Sequence, residues 1–143
     1  MRITALSLVL ASVVFAAPAD TPLSTLAKLA GYLSQGDGPD AIGIFDSHMK
    51  GFGDLEQNIN ALASQSDVSC AIDPVEDTES NGVHKLDLDW YMEVKSQLDN
   101  SLERRRERVQ VEMRQIKGRW KITSLSPVSI LDPMHLLLGV KRP

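Results

Sequence analysis

From Val83 to Glu93 the chain alternates polar and apolar residues, and no other stretch constrains the fold as much. Leu86, Leu88, Trp90 and Met92 share one face, while Lys85, Asp87, Asp89 and Glu93 occupy the other. A period of two marks a strand in a sheet buried on one side and wet on the other. Asp99-Asn100-Ser101 breaks the run, and Arg108 to Ile116 resumes it with Val109, Val111 and Met113 in phase. Lys117-Gly118 supplies a two-residue turn. Arg119 to Val128 then reads as a last strand carrying Trp120 and Ile122 and leaving through Ser126-Pro127.

The residues before this sheet read as helices. Leu23, Leu26, Ala27, Ala30 and Leu33 fit one helical face after a Thr21-Pro22 start, and Gly36-Asp37-Gly38 ends that helix. Pro39-Asp40 opens a second through Ala41, Ile42, Ile44, Phe45 and Met49. After the break at Lys50-Gly51-Phe52-Gly53, Asp54 is expected to cap a third helix presenting Leu55, Ile59 and Leu62. A first strand is expected from about Asp67 to Val75, with Glu76 to Gly82 as a polar turn. Composition favours a helix over Leu102 to Arg108. The strand pattern resuming at Val109 argues that tertiary pairing overrides it. The order predicts an α+β domain, three N-terminal helices covering one face of a four-stranded antiparallel sheet.

Met1 to Ala19 has the form of a cleavable export signal: Arg2, an apolar run from Ile3 to Ala17, and Ala17-Pro18-Ala19 before Asp20. The run is shorter than the roughly 20 residues a membrane span needs. The expectation is export to the periplasm or the medium, with no stable membrane association after cleavage. Residues 20–130 form the domain and 131–143 a C-terminal tail, in which Asp132-Pro133 opens a turn carrying Leu136-Leu137-Leu138. Removing residues 1–19 takes away only Arg2, leaving 14 of the 15 basic residues against 19 acidic ones, and the formal charge moves from −4 to −5. An acidic surface of this kind has no general attraction for nucleic acid. The Arg104-Arg105-Arg106-Arg108 cluster is interleaved with Glu103, Glu107 and Glu112 and has no aromatic platform. Cys70 is the only cysteine, so apolar packing and not a disulfide must hold the domain; in step with Val68 and Ile72, it reads as a small buried hydrophobe.

The Leu-rich first helix ending in Gly36-Asp37 and the second helix with Ile44-Phe45 resemble the NTF2-like (SnoaL-like) superfamily. So do the Leu86-Asp87-Leu88-Asp89-Trp90 strand, the Glu103-Arg104-Arg105-Arg106 run and the Gly118-Arg119-Trp120-Lys121-Ile122 strand ending in Leu125-Ser126-Pro127. The resemblance covers nearly the whole chain after residue 19 and is to exported bacterial members of the acidobacterial type, of unassigned function. It implies a cone: a curved sheet wrapped around helices and open at one end to a pocket. The superfamily includes ketosteroid isomerases, dehydratases, polyketide cyclases and non-catalytic binding or dimerising modules, so function must come from the site. In the isomerase branch, a tyrosine stands seven positions before the Gly-Asp that ends the first helix. Here that position is Leu29, and Tyr32 lies three residues on, about 300° around the axis.

The candidate residues follow from strand parity. Leu88, Trp90, Val111 and Trp120 would line an apolar ligand pocket, with Arg105 as a polar contact. His84 shares parity with Leu86 and could act as acid or base at the rim, with Glu103 as its carboxylate partner. His48, His84 and His135 show no metal-ligand spacing, Gly51-Phe52-Gly53 lacks the rest of a phosphate loop, and no Gly-x-Ser-x-Gly elbow occurs. No metal or cofactor is therefore expected. The sequence favours a non-catalytic module binding a small apolar ligand or a partner. The alternatives are a small-molecule isomerase, dehydratase or cyclase using His84 and Glu103, and a structural module forming a homodimer across its outer sheet.

Overall fold

The computed structural model describes residues 20–134; the expectations for residues 1–19 and for Leu136 to Leu138 lie outside them. Helix α1 (Pro22–Ser34) begins with a capping box, in which Thr21 Oγ1 accepts from the Ser24 amide and Ser24 Oγ accepts from the Thr21 amide. Helix α2 (Gly38–Ile42) is short, and α3 (Phe52–Gln65) starts from Gly51 in a left-handed conformation, one turn earlier than an Asp54 cap implied.

Four strands follow, β1 (Ser66–Ser80), β2 (Val83–Ser96), β3 (Leu102–Ile116) and β4 (Arg119–Ser126), as one antiparallel sheet in the order β1-β2-β3-β4. Two-residue turns join β1 to β2 at Asn81-Gly82 and β3 to β4 at Lys117-Gly118, all four residues with positive φ. Such turns match the right-handed twist of the paired strands. A single 3₁₀ turn, Val128–Leu131, then runs back towards α3.

The helices pack into the concave face of the sheet. Leu26, Leu29, Leu33, Leu55, Ile59 and Leu62 meet Leu86, Leu88, Trp90, Met92, Val94, Val109, Val111, Met113 and Ile122 in one apolar core. Each such burial stabilises the fold by about 1.5–3 kcal/mol against exposure. Leu29, at the position of the isomerase tyrosine, is fully buried.

Two segments depart from the sequence reading, and a third, where helix propensity and strand pairing conflicted, follows it. The second helix does not continue to Met49. Ile44 to Asp46 instead pair with β4: the Ile122 amide donates to Ile44 at 2.9 Å and the Asp46 amide to Ile122 at 2.8 Å. This covers one sheet edge. The expected polar turn from Glu76 is strand as far as Ser80, because polar residues on both faces carry no period to read. Leu102 to Arg108 is strand throughout, the outcome that pairing with β2 favours over helix propensity.

Candidate functional site

The interior of the cone is filled. Leu88 and Trp90 are 0 % exposed and Val111 1 %, so these three expected pocket residues are covered by the protein's own side chains. The buried Trp90 indole N–H has no hydrogen-bond acceptor within normal distance, and the group it faces is the weakly accepting Cys70 thiol. Beside it, burial pushes the Cys70 thiol up to about 12, the Trp90 indole opposing slightly. A thiol held neutral is a packing group and not a nucleophile.

Arg105 does face the concave side, opposite Met92, with a side chain only 10 % exposed. It is spent on the fold. Its Nη1 donates to the carbonyls of Ile130, at 3.0 Å, and of Asp132, while Nε donates to Glu103 Oε1 at 3.1 Å. The guanidinium thus latches the segment after β4 onto β3, and Glu103 orients the latch.

Glu103 and His84 are not brought together. Glu103 pairs with Val94 and His84 with Met113, at opposite ends of the sheet. Ten residues along β2 correspond to about 30 Å. His84 instead has partners that the sequence reading placed in a turn. Pro74 opposes Leu88 and Glu76 opposes Asp87, leaving Val75 as an extra residue on β1. Before this bulge Val68, Cys70 and Ile72 face inwards; after it the phase flips, and Asp77 and Glu79 face the side of Leu86 and His84. His84 Nδ1 lies 2.9 Å from Asp77 Oδ1, and Nε2 3.7 Å from Glu79 Oε2. Trp120 stands edge-on to the imidazole, ring centroids 4.9 Å apart. The sequence signal for Asp77 was present only as a polar residue seven positions before His84.

Of the two tryptophans, Trp120 is the one that lines a cavity. It is half-buried between His84 and α1, and its indole N–H donates to the Asp20 carbonyl at 2.9 Å. On its helix side lies an open cavity of about 370 Å³, lined by Lys28 and Tyr32 of α1, Asp40 and Gly43 near α2, and Arg119 and Lys121 of β4. Lys28 pairs with Asp20 at 3.0 Å, and Lys121 Nζ donates to the Gly43 carbonyl. A hydrogen bond with Asp37, reinforced by repulsion between the two carboxylates, raises the Asp40 carboxyl above its ordinary value. The cavity therefore offers an aromatic wall, a phenol, and cations alternating with carboxylates.

The other arginines of the 104–108 run form a ladder on the convex face. Arg106 binds Asp89 through two nitrogens, at 2.7 and 3.1 Å, Arg108 reaches Asp87 at 3.1 Å, and Arg104 reaches Glu93 at 3.4 Å. Among the described residues no group of His, Cys, Asp and Glu side chains could hold a metal ion, and no helix is long and apolar enough to cross a membrane.

No family model and no curated protein matches the chain. Solved structures do. An NTF2-like superfamily protein from Salmonella enterica serovar Typhimurium superposes with a TM-score of 0.61 at 12 % identity, over 83 % of this chain and 93 % of its own. The fold is NTF2-like. A scytalone dehydratase-like protein from Novosphingobium aromaticivorans has a TM-score of 0.65 at 8 % identity, covering 72 % of this chain and 77 % of its own. A conserved protein from Planctomyces limnophilus also reaches 0.65, at 6 % identity, over 71 % and 87 %. Identities this low establish the NTF2-like architecture and leave the chemistry to the residues.

Proposed function

We propose that this NTF2-like domain is an exported, non-catalytic module that binds a small ligand at the mouth of the cone, against Trp120. The observation that carries the reading is the contrast between the two tryptophans. Trp90 is sealed in the core, while Trp120 walls a cavity whose volume falls within the roughly 300–1,000 Å³ of small-molecule sites. The apolar ligand expected inside the cone has no room there. Lys28, Tyr32, Arg119 and Asp40 suit a small polar or zwitterionic molecule with one flat apolar face for the indole. The test is a chemical-shift screen of a small-molecule library. Saturable perturbation of Lys28, Tyr32 and Trp120 supports the reading; a protein that binds nothing there but sediments as a dimer is a dimerisation module instead.

A second reading rests on the His84–Asp77 pair. A carboxylate on Nδ1 orients an imidazole, and Nε2, with Glu79 Oε2 at 3.7 Å, is the atom that would exchange a proton, the relation used in many general bases. On this reading the ligand sits on the other side of the Trp120 indole, in the open cavity of about 560 Å³ lined by Glu79, His84 and Trp120, and is turned over there; H84A should abolish turnover while leaving binding within about twofold.

A further inference from the structure

A second groove lies on the far side of the Gly43–Lys121 contact. Its floor is built from Pro39, Ile42, Phe45, Phe52 and Ile116, its volume is about 550 Å³, and most of its lining surface is apolar. Phe52 and Ile116 are only half-buried. One rim carries Lys117, Arg119 and Lys121. Among the described residues, neither Lys117 nor Arg119 forms an ion pair, whereas the arginines of β3 from Arg104 to Arg108 are all engaged. The opposite rim has a single carboxylate, Asp46, which bonds His48 at 3.3 Å. An apolar floor with free cations along one edge is complementary to a molecule with an alkyl body and an anionic head.

We infer that this groove binds a free medium-chain carboxylate, the alkyl chain over Phe52 and Ile116 and the carboxylate at Lys117 and Arg119. The argument is separate from the proposal for the Trp120 cavity; Arg119 lines both, so Phe52, Ile116 and Lys117 on one side and Lys28 and Tyr32 on the other tell the two apart. A flexible ammonium from the turn at Lys117 and a guanidinium two residues on, at the start of β4, give a carboxylate several donors without requiring the protein to rearrange.

The experiment is a nitrogen-15 titration of the protein produced from its whole coding sequence, with octanoate, decanoate and octanol as probes. Saturable shifts are expected at Phe52, Ile116, Lys117 and Arg119, with Lys28 and Tyr32 unmoved. Decanoate should bind on the order of tenfold more tightly than octanoate, as two further buried methylenes imply. Octanol should bind at least fivefold more weakly than octanoate. The exposed K117E/R119E variant should lose at least tenfold in octanoate affinity and leave octanol unchanged, and R119Q should lose several-fold with less perturbation of the turn. Shifts confined to the Trp120 cavity, equal affinity for octanoate and octanol, binding that survives charge reversal, or attachment to anionic phospholipid vesicles without octanoate binding would each overturn the inference.

Discussion

Asp77 Oδ1 and His84 Nδ1 meet at 2.9 Å across the β1–β2 hairpin, on the same face of the sheet and with the Asn81-Gly82 turn between them. The bulge at Val75 makes this possible, because without it Asp77 would point to the convex side. The Asp77 side chain is about a third exposed, so D77N is expected to cost about 1 kcal/mol in denaturant unfolding. A double-mutant cycle with H84A should return a coupling of about 0.5–1 kcal/mol. Additive losses would mean that the two groups do not act together.

Arg105 fastens the chain after β4. Replacing it with alanine removes the donors to Ile130 and Asp132 and leaves two carbonyls to find water. R105A should destabilise the domain by about 2–3 kcal/mol. Amide exchange of Leu131 and Asp132 should accelerate more than that of the central strands. Uniform acceleration would show that the latch is not local.

Trp90 tests the sealed interior. Its N–H has no partner, so W90F removes a desolvated donor together with some volume and should cost about 1 kcal/mol. W90A leaves a cavity and should cost about 3–5 kcal/mol. Similar losses for both variants would imply that the indole N–H is satisfied in solution.

The convex ladder predicts an acid limb. The Arg106 hydrogen bond, with charge from Arg106 and Arg108, holds Asp89 below the usual carboxylate range; Tyr91 and then Arg104 do the same for Glu93. A carboxyl depressed in the folded state contributes stability above its unfolded value, near 3.9 for Asp and 4.3 for Glu, and loses it as pH falls through the folded value. Unfolding midpoints should therefore show no loss from these groups between pH 7 and 5, and a decline below about 4. The decline should be shallower in R106Q.

The sheet was legible where one face is buried, because only there does burial impose a period of two. Leu86, Leu88, Trp90 and Met92 fall in the core as read, and Lys117-Gly118 turns as read. Ile44-Phe45 continues the apolar rhythm of α2 in sequence, yet β4's open edge captures it, and no local signal distinguishes the two outcomes. The site was half legible. Parity put His84, Trp120 and Arg105 on the concave side, but Asp77 depends on a bulge that flips phase. Arg105's use depends on a chain segment 25 residues away.

The central claim, that ligands meet Trp120 and never Trp90, is tested most directly by fluorine NMR of protein labelled with fluorotryptophan. The two tryptophans give two resonances. The account predicts that a ligand from the screen moves the Trp120 signal saturably and leaves the Trp90 signal in place. Movement of the Trp90 resonance, with Trp120 unchanged, would show that the cone opens and that its interior is the site.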